Sequence, residues 1–245
     1  MKHRVCVVIP TYNNSGTVAS VIASALERCK DVMVVSDGAD DATNEAIAAF
    51  GDAIDFVRYT PNRGKGHALR TAFRRASERG FDYAVTMDSD GQHFADDLPL
   101  FFDAIENGNG ELFIGSRCLD AENMPSGNSF ANRFSNFWFR LQTLRSLPDT
   151  QTGYRAYPLG RCVLPLCNRY EAELEMLVRS AWRGVDIVPI PVKVYYAPQG
   201  ERVTHFRKGR DFARISLLNT VLTLAAVFHG WPSILIHKLG RRRDG

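Results

Sequence analysis

Val85-Thr86-Met87-Asp88-Ser89-Asp90-Gly91-Gln92-His93 is a short apolar run followed by two carboxylates with one residue between them. The aromatic and β-branched content of Phe81 to Met87 predicts a strand, with Asp88 at its C-terminal end and a turn at Gly91. Both carboxylates then meet at one edge of a sheet. In open α/β folds ligands bind at that edge. Two hard oxygen donors so close together suit Mg²⁺ or Mn²⁺ that already carries phosphate. Taken alone, the segment is also compatible with an Asx-rich turn, so the rest of the chain must decide.

Upstream, Val5 to Ile9 is wholly apolar, as a strand buried on both faces requires, and Pro10-Thr11-Tyr12-Asn13-Asn14 ends it. Val18 to Cys29 has helical apolar spacing, and Ser15 or Thr17 can cap it. Val32 to Val35 is a second buried strand, Thr43 to Phe50 a helix and Ile54 to Tyr59 a third strand. This β-α-β-α-β order implies a right-handed, mainly parallel sheet flanked by helices. Asn62-Arg63-Gly64-Lys65-Gly66 opens the helix His67 to Arg79, where basic side chains and backbone N–H groups would attract phosphate. The segment lacks the Lys-Ser/Thr pair of a Walker loop, and no Gly-x-Gly-x-x-Gly follows the first strand, which argues against a dinucleotide fold.

Downstream, Asp96 to Glu106 reads as a helix and Leu112 to Gly115 as a strand, so Arg117 falls on the carboxylate edge unless it only forms a surface ion pair. Asn123 to Asn132 reads as a polar loop. Phe130 to Leu147 reads as a helix whose aromatics face the core or a membrane. A polar loop follows from Asp149 to Arg155. Tyr170 to Trp182 is a helix on which Glu171 and Glu175 share a face while Glu173 points elsewhere. Val185 to Tyr196, interrupted by Pro189 and Pro191, suits a sheet edge or a strand pair.

The 245 residues carry a formal charge of only +3, but its distribution is uneven. Glu201 to Ile215 holds Arg202, Arg207, Lys208, Arg210 and Arg214 against Glu201 and Asp211. A second basic cluster, Lys238 with Arg241, Arg242 and Arg243, lies near the C-terminus. These clusters flank apolar sequence, not stacking aromatics, so nucleic acid is not the expected partner. Five scattered cysteines give no disulfide framework or usual zinc spacing and fit a reducing cytoplasm. The start of the chain shows no signal-peptide pattern, so the expectation is that the chain stays in the cytosol.

Ile215 to Phe228 is apolar on nearly every face, and as a helix its 14 residues extend ~21 Å, short of the ~30 Å hydrocarbon core. His229-Gly230-Trp231-Pro232 then interrupts the run. With Trp231 in the break and basic clusters on both flanks, a helical hairpin lying in the cytoplasmic leaflet is expected. A buried core helix or a dimer contact is the alternative.

Six segments, in order, resemble family 2 glycosyltransferases, most closely the dolichyl-phosphate mannose synthase branch. They are Val8-Ile9-Pro10-Thr11-Tyr12-Asn13-Asn14, Val34-Val35-Ser36-Asp37-Gly38, Asn62-Arg63-Gly64-Lys65-Gly66, Asp88-Ser89-Asp90-Gly91-Gln92-His93, Gly115-Ser116-Arg117 and Asp149 to Arg155. The resemblance spans about Val5 to Tyr196. It implies a GT-A fold, a nucleotide-sugar donor linked to GDP or UDP, a divalent metal (Mg²⁺ or Mn²⁺) and inversion at the anomeric carbon. It further implies that Pro10, Tyr12 and Asp37 hold the nucleoside, and that Asp88, Asp90 and Gln92 meet the metal and diphosphate, with Ser89 and Lys65 beside them. Arg117 and Arg133 stand where diphosphate-binding arginines are expected. Where the mannose synthases end in an Arg-x-x-Gly-x-Ser-Lys segment, this chain has Glu201 to Arg210.

The expectation is therefore a GT-A catalytic domain over residues 1–200, then a basic loop and membrane-associating helices over 201–245. The enzyme would be an inverting glycosyltransferase, peripheral or monotopic on the cytoplasmic membrane face, that passes a sugar to a lipid acceptor, a polyisoprenyl phosphate. Arg202, His205 and Arg207 would receive the acceptor. A hydroxyl acceptor would need a general base, for which Asp149 is the candidate. An ionised phosphate acceptor would need none, and Asp149 would then orient sugar or acceptor. The rival from another class is a nucleotidyltransferase, which would need a glycine-rich, arginine-containing loop where Pro10-Thr11-Tyr12 stands.

Overall fold

The computed structural model describes residues 2–117, 126–195 and 208–241. Four strands and three helices alternate through the first part of the chain: β1 (Val5–Thr11), α1 (Val18–Leu26), β2 (Val32–Asp37), α2 (Asp41–Ala48), β3 (Asp55–Tyr59), α3 (Lys65–Glu78) and β4 (Tyr83–Thr86). There follow α4 (Leu98–Asn107), β5 (Leu112–Arg117), α5 (Ser126–Thr143), β6 (Arg155–Pro158), α6 (Glu171–Trp182) and β7 (Ile187–Val192). The chain ends in α7 (Lys208–Ala225), a π-helical turn over Ala226–Gly230, and α8 (Trp231–Arg241).

The strands form one seven-stranded sheet in the order β3-β2-β1-β4-β6-β5-β7. Neighbouring pairs are parallel except those made by β6, which runs antiparallel to β4 and β5. The expected mainly parallel α/β sheet is thus present. β4 and β5 end on the same side, which brings Asp88 and Arg117 to one edge. Pro189 and Pro191 fall on β7, an outer strand, where a missing N–H is tolerated.

Side-chain alternation along β1 divides the core. Val5, Val7 and Ile9 pack with Val18 and Ile22 of α1, Ile47 of α2 and Phe101 of α4. Cys6 and Val8 face the other way, onto Leu69 and Phe73 of α3 and Met176 and Leu177 of α6. Both faces being covered explains why β1 reads as a continuous apolar run.

Three expectations are corrected. Helix α5 begins at Ser126, so part of the expected polar loop is helix; residues 123–125 lie outside the described residues. Thr17 occupies the N-cap of α1 but makes no side-chain cap; its hydroxyl donates to Ser89 O at 2.6 Å, tying α1 to the carboxylate loop. The C-terminal hairpin is not formed. Gly209–His237 is one 29-residue helix, long and apolar enough by length and composition to cross a membrane. The π turn admits Pro232 without ending the helix, because a wide turn already departs from the regular hydrogen-bond ladder.

One side of that helix joins the body. Leu222, Ala226 and Ile234 are buried in the same cluster as α3 and α6. Gln142 Nε2 donates to Asn219 Oδ1 at 3.0 Å, Trp231 Nε1 to Leu141 O at 3.1 Å, and Ser233 Oγ to Trp182 O at 2.7 Å. At Gly230 a Cβ would lie 2.5 Å from the Trp182 ring, so glycine permits the approach. The opposite side is apolar and exposed at Leu217, Val221, Leu224, Phe228 and Ile236. Phe134 of α5 stacks on Phe212 of α7 at 6.4 Å between centroids and extends that surface.

Candidate active site

The C-terminal ends of β1, β2 and β4 open into a cleft of about 690 Å³. Pro10, Tyr12, Asp37, Lys65, Asp88, Ser89, Asp90 and Gln92 all line it. These residues come from four separated segments, and the parallel order of β2, β1 and β4 converges them.

The carboxylate loop is held from below. Ser89 is buried; Asn14 Nδ2 donates to its Oγ at 2.7 Å, and Thr17 takes its carbonyl. His93 Nδ1 accepts from Asp88 N at 3.2 Å, and its ring stacks on Tyr154 at 4.9 Å. Asp90 Oδ1 accepts from Gln92 N at 3.0 Å, a turn that aims the two carboxylates into the cleft.

Electrostatics separates those carboxylates. Burial opposes ionisation of Asp88, but the Lys65 ammonium, 2.6 Å from its Oδ1, outweighs it and leaves the acid below its usual range. Asp90 is pushed up to about 6, by burial and then by the charge of Asp88. Such a pair is short of positive charge. Among the described residues no cluster of three or more His, Cys, Asp or Glu side chains could hold a metal. Two hard carboxylates that repel each other, in a partly open cleft, fit a divalent cation whose remaining ligands are phosphate and water.

The end of α3 differs from the expectation. Arg63 N and Gly64 N donate to the Asp37 carboxylate at 2.7 and 2.6 Å, and Asn62 Nδ2 adds a bond of 3.0 Å. The amides of Arg63 and Gly64 are therefore taken by protein, and the Lys65 side chain reaches from the helix end to the carboxylates of the cleft. At Gly38 (φ +66°) a Cβ would meet Asn62 N at 2.3 Å, so the loops after β2 and before α3 pack backbone to backbone.

Arg117 and Asp149 do not line the cleft but lock each other beside it. Arg117 Nε and Nη2 reach Asp149 Oδ2 and Oδ1 at 2.6 and 3.0 Å, and Asp149 is 0% exposed. Asp149 also accepts from Gln151 N. The loop beyond it is clamped by buried Arg155, which donates to Thr150 O, Thr152 O and Glu173 O. Gly153 brings the same loop against Asp88 so closely that a Cβ would lie 2.5 Å from Oδ2. Arg133 is exposed on α5 and does not line the cleft. Arg202, His205 and Arg207 lie outside the described residues.

Further residues line or brace the cleft beyond the expected donor-site set. Arg169 and Tyr170 precede α6, and Arg210, Asp211 and Arg214 form the first turns of α7. Glu173 of α6 lies 2.9 Å from Lys65 Nζ. The basic content of 201–215 pointed towards Arg210 and Arg214. The spacing of Glu171, Glu173 and Glu175 gave no means of choosing Glu173.

The comparisons with known proteins agree with this geometry. Residues 6–164 match the family described as glycosyl transferase family 2. An undecaprenyl-phosphate mannosyltransferase from Micrococcus luteus is 29% identical over 211 residues, covering 81% of this chain and 86% of the relative. A dolichyl-phosphate hexose transferase from Haloferax volcanii is 32% identical over 197 residues, covering 76% and 80%. In three dimensions, the glucosyl-3-phosphoglycerate synthase from Mycobacterium tuberculosis, crystallised with Mn²⁺, uridine diphosphate and phosphoglyceric acid, superposes with a TM-score of 0.67 at 20% identity, covering 91% of this chain and 78% of the other.

Proposed function

The chain belongs to glycosyl transferase family 2, and we infer that this glycosyltransferase moves one sugar from a nucleotide-diphosphate sugar to a membrane lipid carrier, a polyisoprenyl phosphate. One observation carries this reading. A single cleft is lined both by Asp88, Asp90 and Lys65 and by Arg210 and Arg214, at the root of a helix whose outer face is apolar. A donor diphosphate and an anionic lipid head can therefore meet in it. The lipid-phosphate relatives support the acceptor class.

In this reading Pro10, Tyr12 and Asp37 form the nucleoside end. Asp88 and Asp90, with Gln92 beside them, would hold Mg²⁺ or Mn²⁺, which neutralises charge on the departing diphosphate. The manganese and nucleotide in the structural neighbour support that assignment. Ser89 fixes the loop, Lys65 serves the diphosphate, Arg117 is held beside it by Asp149, and Arg133, which does not line the cleft, is left out of this reading. Preorganised cations act where negative charge grows as the glycosidic bond breaks. A phosphate acceptor is already ionised, so no proton need be removed, and attack opposite the leaving diphosphate inverts the anomeric centre. Asp149 then serves as the anchor of Arg117.

Residues 1–200 form the catalytic part, and residues 201–245 receive the acceptor. Arg202, His205 and Arg207, continued by Arg210 and Arg214, hold its phosphate. The exposed side of α7 and α8 enters the cytoplasmic leaflet while the other side stays docked, a monotopic arrangement. The test is transfer of radiolabelled sugar from a panel of GDP- and UDP-linked donors into the organic phase, using vesicles of polyisoprenyl phosphate or polyisoprenol. Label should enter the phosphate lipid alone. Label in the alcohol, or in neither lipid with every donor, overturns the reading.

A further inference from the structure

Lys65 opens α3 pointing into the cleft, and its ammonium bridges two carboxylates from different elements. It lies 2.6 Å from Asp88 Oδ1 and 2.9 Å from Glu173 Oε2. The Lys65, Asp88 and Glu173 side chains are 15%, 26% and 12% exposed, so water screens the contacts weakly. The second oxygen of Glu173, Oε1, is buried without a hydrogen-bond partner. Gly153 closes the space from the side, because a Cβ there would come within 3.0 Å of Lys65 Nζ as well as touching Asp88.

This position conflicts with a divalent cation. An ammonium 2.6 Å from Asp88 Oδ1 already occupies one approach to that carboxylate, and two positive centres so close repel strongly when poorly screened. The conflict disappears if the ammonium turns away from Asp88. Glu173 can keep it while Asp88 is given up, having an unused oxygen for a second contact. A diphosphate in the cleft supplies further acceptors for it.

We propose that Lys65 is a resident counter-cation that competes with the divalent ion for Asp88, and that Glu173 is the positioning residue that retains Lys65 when Asp88 is released. It follows that the ion binds weakly to the empty cleft and tightly only together with a diphosphate. The proposal rests on the reading of Asp88 and Asp90 as cation ligands. It adds an order to binding that the carboxylate pair alone would not impose.

The test is Mn²⁺ binding to the full-length protein, read from the electron paramagnetic resonance signal of free Mn²⁺. Titrations are run without nucleotide, with UDP and with GDP. The wild-type protein should bind Mn²⁺ weakly alone and tighten about tenfold or more with one of the nucleotides, the scale of a single unit of pKa-like competition. Lys65→Met should bind Mn²⁺ alone roughly tenfold more tightly and lose about that factor from the nucleotide-dependent gain, the phosphate ligands themselves supplying what remains. Glu173→Gln should do the reverse: the ammonium keeps only Asp88 as a carboxylate partner, so Mn²⁺ alone binds more weakly while nucleotide still tightens it. A merely structural role would weaken both variants alike.

Unchanged or weaker Mn²⁺ binding in folded Lys65→Met, or shifts of the same sign in both variants, overturns the proposal. If near-ultraviolet circular dichroism shows Lys65→Met unfolded, Glu173→Gln decides, with unchanged Mn²⁺ affinity overturning the idea. Absence of any Mn²⁺ binding to the wild type with either nucleotide would instead remove the assignment of Asp88 and Asp90.

Discussion

The two ends of α3 carry the same kind of contact in opposite settings. At its C-terminal end Arg75 and Arg79 both reach Asp55, at 2.7 and 2.5 Å, with the arginine side chains 49% and 47% exposed. Cations there agree with the helix dipole, and water screens them. At the N-terminal end Lys65 sets a positive charge against the positive end of the dipole and out of water. Local preference explains the far end. The cleft end needs the carboxylates of Asp88 and Glu173, contributed by other elements, to hold its cation. A charge placed against local preference marks the region where the fold gives up stability for function.

The contrast can be broken most directly at Asp88. Asp88→Asn should lower turnover about 10²-fold or more, the scale of losing one preorganised electrostatic element. A steady-state transfer assay giving near-normal turnover would make the cleft end no more functional than the far end. Next, Asp149→Asn takes away a buried partner of Arg117; we expect turnover to fall on the order of tenfold or more. The pH–rate profile should keep its shape if Asp149 anchors Arg117, and should lose its acidic limb if Asp149 accepts a proton.

A smaller effect comes from His93, whose burial holds it down at about 4, despite the opposing charge of Asp88, from an ordinary value of 6.5. Between those values the unfolded chain takes up a proton that the folded chain refuses, so stability falls as pH drops below 6.5 and this loss levels off near 4. Inside that window the slope approaches ~1.4 kcal/mol per pH unit. Urea unfolding from pH 7 to pH 5 should be less pH-dependent in His93→Gln, and equal slopes would refute the assignment. Smallest of all, Arg79→Ala at the exposed end should cost under ~1 kcal/mol and leave turnover unchanged. A larger loss in urea midpoint would erase the difference between the two ends.

The alternation of apolar strands with amphipathic helices was enough to find β1 to β4 along the chain and to put Asp88 and Arg117 on one edge, because burial on both faces writes itself into β1, β2 and β4 locally. β6 was not legible: Arg155–Pro158 is four residues long, and its antiparallel pairing depends on partners elsewhere. Pro10 and Tyr12 fall at the C-terminal end of the first apolar strand, so their place beside the cleft was legible, whereas a nucleoside role for them comes only from the family resemblance. Lys65 was placed as well, but its partner Glu173 belongs to a helix far along the chain, and nothing local joins them. Likewise, a hydroxyl before a helix looks like a cap whether it satisfies that helix or, as Thr17 does, reaches Ser89. The C-terminal run reads as two helices because Gly-Trp-Pro ordinarily ends a helix, whereas a π turn here absorbs the proline.

That turn over Ala226–Gly230 adds roughly one residue to a helical repeat, which rotates everything after it by about 100°. The rotation points Trp231 and Ile234 back at the body after Leu222 and Ala226 have made the same contact. The helix is consequently indexed by residue count, like a thread cut to one starting angle. Removing a single residue between 226 and 230 would close the turn to a regular one and keep Ile234 against the body, whereas adding one there would roll Ile234 about 100° towards solvent and Ile236 off the outer surface.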